Sequence, residues 1–151
     1  MILNKYFKEI FQRSLAPDGG LFIPKQIKQF SSNELKKMKR LNYIDLATEV
    51  VSSFCVPTFN KQQLKVLIKK SYKNFKKKDV VSLIKLEKIN LLELYHGPTL
   101  AFKDSALQCI GNIYEEFNTN NEDITNIVVA TSGDTGAAAI SALNNRKNIN
   151  K

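Results

Sequence analysis

The chain has 151 residues, of which 43% are hydrophobic and 25% are charged, so it can bury one modest core but is too short for two large domains. It contains no run of roughly 18 apolar residues and no N-terminal signal peptide, so we expect a soluble, cytoplasmic protein that binds no membrane. Cys55 and Cys109 lie far apart and outside any metal-ligand spacing, which argues against a disulfide framework and a zinc site and predicts two buried thiols.

The net charge of +9 comes from 20 Lys and 3 Arg against 14 Asp and Glu. Because recognition of nucleic acids favours the planar, bidentate guanidinium of Arg, this ratio argues against a nucleic-acid partner. The densest basic run is 61–78, where apolar residues recur at helical spacing with lysines between them. This pattern has two interpretations, an ordinary amphipathic helix with a solvated face or an anion-binding surface.

Turn and capping signals organise the first half of the chain. Residues 15–24 predict a loop that leads into a brief strand ended by Pro24. Ser31 and Glu34 have the spacing of a capping box and predict the start of a helix. A further helix is predicted over 43–54, with an apolar face made by Leu46, Ala47, Val50, Val51 and Phe54.

The same kinds of signal continue towards the C-terminus. Asn60 is expected to cap the Lys-rich helix, which should run to about Phe75. Two strands are predicted over 80–86 and 91–95 because both runs are apolar or β-branched, and the short segment between them reads as a turn. After Gly97-Pro98 a helix is predicted from about Thr99 to Phe117.

The last part of the chain predicts a strand, a turn and a helix in immediate succession. Residues 127–130 are a candidate buried strand, and 137–143 read as helix. Residues 144–151 are polar, and we expect no strand there. Since a parallel strand with a crossover helix should feed a neighbouring strand, the sequence predicts an unfinished sheet.

The turn at 131–136 is the first place where chemistry could occur. Glycines allow close backbone approach, and the hydroxyls of Thr131, Ser132 and Thr135 could hold a carboxylate or a phosphate at the N-terminus of a helix. The spacing matches neither a phosphate-binding P-loop nor a dinucleotide fingerprint. An ordinary turn with a capping residue explains the same residues, so both interpretations stay open.

Lys103 marks the second place. It is a single lysine among apolar residues at a predicted helix start, where the positive end of the helix dipole and partial burial would favour the neutral amine that a Schiff base needs. The alternative is a surface lysine paired with Asp104. His96, the only histidine, cannot form a metal cluster, and we expect it to pack within its loop.

Three strings together resemble the threonine synthases, which belong to the fold-type II pyridoxal-phosphate enzymes. They are the run from Tyr95 to Asp104 (YHGPTLAFKD), the run from Ala130 to Ala138 (ATSGDTGAA) and the N-terminal run from Leu15 to Pro24 (LAPDGGLFIP). The resemblance implies an α/β fold, with residues 1–90 as the family's N-terminal, largely helical region. Residues 91–151 would begin the parallel-sheet domain that binds pyridoxal phosphate.

The resemblance also implies a reaction and a set of site residues. O-phospho-L-homoserine and water would give L-threonine and phosphate, with the cofactor as the electron sink. Lys103 matches the lysine that holds pyridoxal phosphate as a Schiff base and moves protons. Phe102 and Asp104 flank it and, with Asp134, are expected at the cofactor. The substrate-binding residues implied are Thr131, Ser132, Gly133, Asp134 and Thr135.

The chain is shorter than the family pattern requires, because the phosphate cup of such enzymes lies further downstream. We therefore expect an N-terminal portion that is inactive alone and could need a complementing C-terminal chain. Two other hypotheses remain: a non-catalytic remnant, and a basic interaction module that uses the helix at 61–78.

Overall fold

Helices fill the first half of the chain, and helices alternate with short strands in the second half. The structure, a computed structural model, describes residues 6–119 and 124–150. The chain forms two compact units, residues 1–66 and 67–151. The boundary predicted at residue 90 lies inside the second unit. None of the helices in the described residues is long and apolar enough to cross a membrane.

The first unit contains the helices α1 (Phe7–Arg13), α2 (Ser32–Met38) and α3 (Tyr43–Cys55), together with the start of α4 (Lys61–Ser71). The helix starts follow the predicted caps. The side chain of Glu34 accepts from the backbone N–H of Ser31 at 2.8 Å, and Ser31 Oγ accepts from the N–H of Glu34 at 3.3 Å. Bonds from the backbone and hydroxyl of Ser31, with help from Lys28, lower the pKa of Glu34 from 4.5 to about 2. Asn60 caps α4 by accepting from Gln63 N–H at 2.9 Å.

Two predictions for the first unit are wrong. The helix α3 buries Thr48, Ser52 and Cys55, whereas Phe54 of the predicted apolar face is 45% exposed. The two hydroxyls can be buried because each donates to a carbonyl of its own helix. The strand expected before Pro24 does not form, since the described part of this unit has no strand to pair with it. Ile23 is 86% exposed there.

After the end of α4, the second unit contains an antiparallel hairpin of β1 (Ser82–Lys85) and β2 (Asn90–Glu93). Leu83 lies opposite Leu92, and the turn closes with a 2.9 Å bond from Leu86 N–H to the carbonyl of Ile89. The two predicted strands are thus confirmed, in shorter form. Leu83 is 67% and Leu92 52% exposed, so the hairpin presents leucines to solvent.

A strand–helix–strand unit follows the hairpin and the long helix α5 (Asp104–Asn118). It consists of β3 (Thr125–Asn126), α6 (Asp134–Leu143) and β4 (Ile149–Asn150), with β3 and β4 parallel. The expectation that no strand follows Leu143 is therefore wrong. The polar composition of 144–151 gave no indication of β4, because backbone groups and not side chains form a parallel ladder. Thr125 N–H, for example, donates to the carbonyl of Asn148 at 2.9 Å.

The buried strand predicted over 127–130 is also wrong. Ile127 N–H still donates to the carbonyl of Asn150, but Val128 is 94% exposed and residues 127–130 form no strand. Among the described residues, β4 ends at Asn150 and offers these residues no further backbone partner. A strand forms only where another strand pairs with it. The apolar residues at 127–130 carry no information about the length of the neighbouring strand β4.

The helices α5 and α6 pack closely in the core of the second unit. A Cβ atom on Gly111 would lie 2.5 Å from the carbonyl oxygen of Ala142, so only glycine allows this approach. Cys109 is half-buried and burial raises the pKa of its thiol, whereas Cys55 in the first unit is buried as predicted. The core side chains around the helix pair include Leu67, Ile68, Ile113, Phe117, Ala138, Ala139, Ala142 and Leu143.

Candidate functional site

A cluster of polar side chains around the buried Glu93 and His96 lies at the base of the hairpin. Glu93 accepts from Tyr95 Oη at 2.5 Å, lies 3.0 Å from His96 Nε2 and pairs with Lys77 at 3.3 Å. These partners, led by Tyr95, lower the pKa of Glu93 although burial opposes the shift. Ser82 Oγ also contacts His96 Nε2, at 3.2 Å. Serine and carboxylate share one ring nitrogen, so this is no serine–histidine–acid relay, which requires both nitrogens. His96 is buried, and its ring contacts Ser82 of β1 and Glu93 of β2, so it packs against the hairpin and not only within its own loop.

The next segment, residues 97–104, is a tight turn that carries Lys103. Asp104 is 0% exposed, and its two carboxylate oxygens accept from Thr99, one from the N–H at 2.8 Å and one from Oγ1 at 2.9 Å. A Cβ on Gly97 would collide with this carboxylate. The helix predicted from Thr99 therefore begins only at Asp104, because Thr99 is held by the aspartate and Leu100 has a φ of 61°.

Lys103 is the N-cap residue of α5 and is half-buried. Its Nζ lies 4.6 Å from the centroid of the Phe102 ring, which is itself 56% exposed. Within residues 6–119 and 124–150, Nζ makes no ion pair. The Asp104 carboxylate is turned away towards Thr99, so the alternative of a Lys103–Asp104 pair is ruled out.

The turn at 131–136 lies open at the start of α6. Thr131, Ser132, Gly133 and Asp134 are exposed, and Thr135 is half-buried. Gly133 is the N-cap residue, and no side chain in the described residues caps the helix. Within the turn, Gly133 N–H donates to Thr131 Oγ1 at 3.3 Å. The first-turn N–H groups carry the positive end of the helix dipole, which favours an anion.

The packing of α5 on α6 relates these two segments. Gln108 donates to Ser141 Oγ at 3.2 Å, Gly111 meets Ala142, and Asn112 accepts from Arg146, four residues beyond Ala142. Residue numbers rise together along the contact, so the two helices run in the same direction. Lys103 and Asp134 both precede it and therefore lie at the same end of the helix pair. In open α/β folds ligands bind at the end where strands lead into helices.

A charged network fixes the opposite end of the helix pair. Arg146 donates to Glu115 at 2.8 Å and to the amide oxygen of Asn112, and Lys70 donates to Glu115 at 2.6 Å. Burial alone would raise the pKa of Glu115, but Lys70 and Arg146 together bring it below the ordinary value. The amide of Asn112, which is 1% exposed, also donates to Ser71 Oγ at 2.9 Å. These contacts hold α5 and α6 in register.

Much of the Lys-rich run is neutralised by ion pairs. Lys61 pairs with Glu49, and Lys65 with Asp45. Further along, Lys70 and Lys77 also pair with carboxylates. Leu64, Leu67, Ile68 and Phe75 are buried as the amphipathic interpretation predicts, although α4 ends at Ser71. The geometry favours a solvated helix face over an anion-binding surface.

Comparisons with known proteins agree with the resemblance of the motifs. The family described as "Threonine synthase N terminus" matches residues 3–72. The threonine synthase of Schizosaccharomyces pombe is 40% identical over 156 residues, which cover 97% of this chain and 30% of that protein. The structure superposes on a PLP-bound threonine synthase from Brucella melitensis with a TM-score of 0.90 and 32% identity, over 95% of this chain and 31% of that one. The chain is similar to the N-terminal third of threonine synthases.

The yeast threonine synthase has a TM-score of 0.87 with 40% identity and covers the same 95% of the chain. The α/β fold expected from the motifs is thereby confirmed. The chain spans about a third of the length of the threonine synthases that it matches, 30% in the S. pombe protein and 31% in the yeast structure.

Sequence reasoning assigned no role to three residues that shape the turn around Lys103. Thr99 and Gly97 enclose the Asp104 carboxylate, and Tyr72 Oη donates to the carbonyl of Ser105 at 2.9 Å, behind the first turn of α5. A threonine two residues after a glycine and five before an aspartate is a weak signal for such a closed turn. Tyr72 gave no signal, because its partner is 33 residues away.

Proposed function

We propose that this chain provides the N-terminal third of a threonine synthase, which converts O-phospho-L-homoserine and water into L-threonine and phosphate with pyridoxal phosphate as its cofactor. The observation that carries the proposal is the Lys103 amine. It has no ion-pair partner among the described residues, although an aspartate follows it directly. A lysine kept unpaired beside a buried carboxylate is available for covalent chemistry.

The side chains at this end of the helix pair fit the cofactor. The Lys103 amine would hold pyridoxal phosphate through its aldehyde carbon, and Nζ would take up and return a proton at the substrate carbon. Phe102, whose ring lies beside Nζ, provides an exposed apolar face for a flat heteroaromatic ring. The cofactor, when bound, supplies an electron sink that the side chains lack.

The open turn before α6 fits the amino-acid end of the substrate. The hydroxyls of Thr131, Ser132 and Thr135 and the backbone N–H of Asp134 can donate to a carboxylate. We assign Asp134 to the cofactor as well as to the substrate, because it is the residue that joins the turn to the helix. For Asp104 we infer a role other than contact with the cofactor, since its side chain is buried and both oxygens are engaged.

Activity is proposed to require the part of the family that this chain does not span. Leucines of the hairpin and Val128 are exposed, and an apolar surface of this kind is ordinarily covered in an active enzyme. The missing residues could be supplied by a complementing C-terminal chain. We place the reaction in the cytoplasm, with no nucleic acid or membrane as partner.

The reaction can be tested by phosphate release from O-phospho-L-homoserine in the presence of pyridoxal phosphate. We expect the purified 151-residue chain alone to release none. Mixed with a polypeptide that carries the remaining two thirds of the S. pombe relative, it should become active. Lys103→Arg should abolish this activity, whereas Lys85→Arg, an exposed control, should leave it unchanged. Turnover by the chain alone near the ordinary enzyme rate of about 10 s⁻¹, or full activity of Lys103→Arg, would contradict the proposal.

The same mixture tests the basic interaction module. Lys69 and Lys73 lie outside the proposed site and are exposed. If the enzyme hypothesis is correct, Lys69→Glu and Lys73→Glu leave phosphate release intact. A strongly salt-dependent binding of nucleic acid that these two substitutions weaken would favour the module instead.

A further inference from the structure

The buried carboxylate of Asp104 requires an explanation. A carboxylate removed from water loses favourable hydration, so it persists only where donors replace the water. Here the replacements are the N–H and the hydroxyl of a single residue, Thr99. The two contacts join residues 99 and 104 and so close a loop of backbone, and Lys103 is one of the residues of that loop.

We propose that Thr99 and Asp104 form a positioning clamp that fixes the turn carrying Lys103. The inference rests on the proposed function, in which Lys103 holds the cofactor. The clamp acts through Lys103 and does not itself touch cofactor or substrate. Hydrogen bonds to an ionised acceptor are stronger than neutral ones, and two of them from one residue fix orientation as well as distance.

Neighbouring residues are shaped around the clamp. Gly97 has no side chain, and a Cβ there would occupy the position of the Asp104 carboxylate. Leu100 takes a left-handed φ of 61°, a conformation that a leucine rarely adopts without surrounding constraint. Tyr72 holds the carbonyl of Ser105 from behind. The turn is therefore constrained on both sides of Lys103.

A simple capping role does not account for this arrangement. Aspartate favours a helix N-terminus through the helix dipole, but an exposed aspartate does this equally well. In this chain the carboxylate faces backwards, towards the residue five positions earlier. The consequence of that direction is to leave the Lys103 amine without an ion pair in the described part of the chain and to fix its backbone.

The clamp can be measured without substrate by amide hydrogen exchange at Thr99 in the full 151-residue chain. The N–H that donates to Asp104 should be protected. Asp104→Ala should accelerate its exchange by roughly 10- to 100-fold, as expected when a bond to a charged acceptor is lost. The matched control Asp79→Ala removes an exposed carboxylate of the same unit and should leave the Thr99 exchange rate unchanged.

The positioning role is measured by reductive labelling. The chain is mixed with pyridoxal phosphate and reduced with borohydride, and the label at Lys103 is compared with that at the exposed Lys85 and Lys88. Thr99→Val, which keeps the shape of the side chain and loses the hydroxyl, should reduce the preference for Lys103. Thr99→Ser, which keeps the hydroxyl, should restore it. Circular dichroism identifies any variant that has lost helix content.

The outcomes separate the clamp from the proposed function. If the unmodified chain shows no preference for Lys103, the proposed function is wrong for this chain, and the Thr99 exchange rates alone decide whether the clamp exists. If Thr99 is unprotected, or if Asp104→Ala leaves its exchange unchanged, the clamp is overturned. If the label stays at Lys103 in Thr99→Val, its positioning role is overturned.

Discussion

Replacement of Gly111 by alanine should destabilise the chain, which is the reverse of the usual effect in a helix. Alanine is favoured over glycine inside a helix by about 1 kcal/mol. At this position, however, the new Cβ would lie 2.5 Å from the carbonyl oxygen of Ala142. A carbon and an oxygen ordinarily approach to about 3.3 Å, so the helices must separate by close to 1 Å or distort.

The magnitude follows from these two opposing effects. Overpacking of a core costs about 1–3 kcal/mol, and the upper end applies here because a backbone carbonyl cannot rotate away. After subtraction of the helix-propensity gain, Gly111→Ala should lower the free energy of unfolding by about 2 kcal/mol. Urea denaturation followed by circular dichroism measures this. The control Ala106→Gly, on the exposed side of α5, should cost about 1 kcal/mol. A Gly111→Ala chain as stable as the parent, or more stable, would refute the packing of α5 on α6.

Two further predictions concern stability and pH. Asn112→Ala removes an amide that bonds Ser71 and Arg146. The loss of these bonds should lower the free energy of unfolding, measured in urea, by about 3 kcal/mol. A decrease below about 1 kcal/mol would argue against the network. The carboxylate of Glu34 should titrate at about 2 by NMR and shift towards 4.5 in Ser31→Ala. The pKa of Glu34 in the folded chain is lower than its ordinary value of 4.5, so its contribution to stability is complete above pH 4.5 and is lost as the pH falls through about 2. A pKa near 4.5 in the parent chain would contradict the capping box.

Local signals in the sequence predicted local structure well. The caps at Ser31 and Asn60 depend on residues three positions apart, so they could be found from spacing alone. The buried face of α4 follows in the same way from helical periodicity. The hairpin was also predictable, since its two strands are adjacent in the sequence and need only a short turn.

Features that depend on distant partners could not be predicted. The strand β4 is made by backbone groups of a polar segment, and among residues 127–130 only Ile127 bonds the described part of β4. For α3 the residues buried are Thr48 and Ser52, whose hydroxyls bond their own helix, and periodicity of apolar residues carries no information about that.

The candidate site was predicted in part. The motifs located Lys103 and the turn at 131–136, and the parallel packing of α5 and α6 brings them to one end of the helix pair. Sequence could not decide between an unpaired Lys103 and a pair with Asp104. That choice depends on where the aspartate side chain turns, and Thr99 determines it.

The central claim, that Lys103 is the residue that holds pyridoxal phosphate, is tested most directly by trapping the cofactor on the purified chain. The chain is incubated with pyridoxal phosphate, reduced with borohydride and mapped by peptide mass. We predict one dominant labelled peptide, carrying the modification at Lys103, and its loss in Lys103→Arg with Lys85→Arg unchanged. Label spread over the exposed lysines in proportion to their accessibility, with no preference for Lys103, would contradict the account.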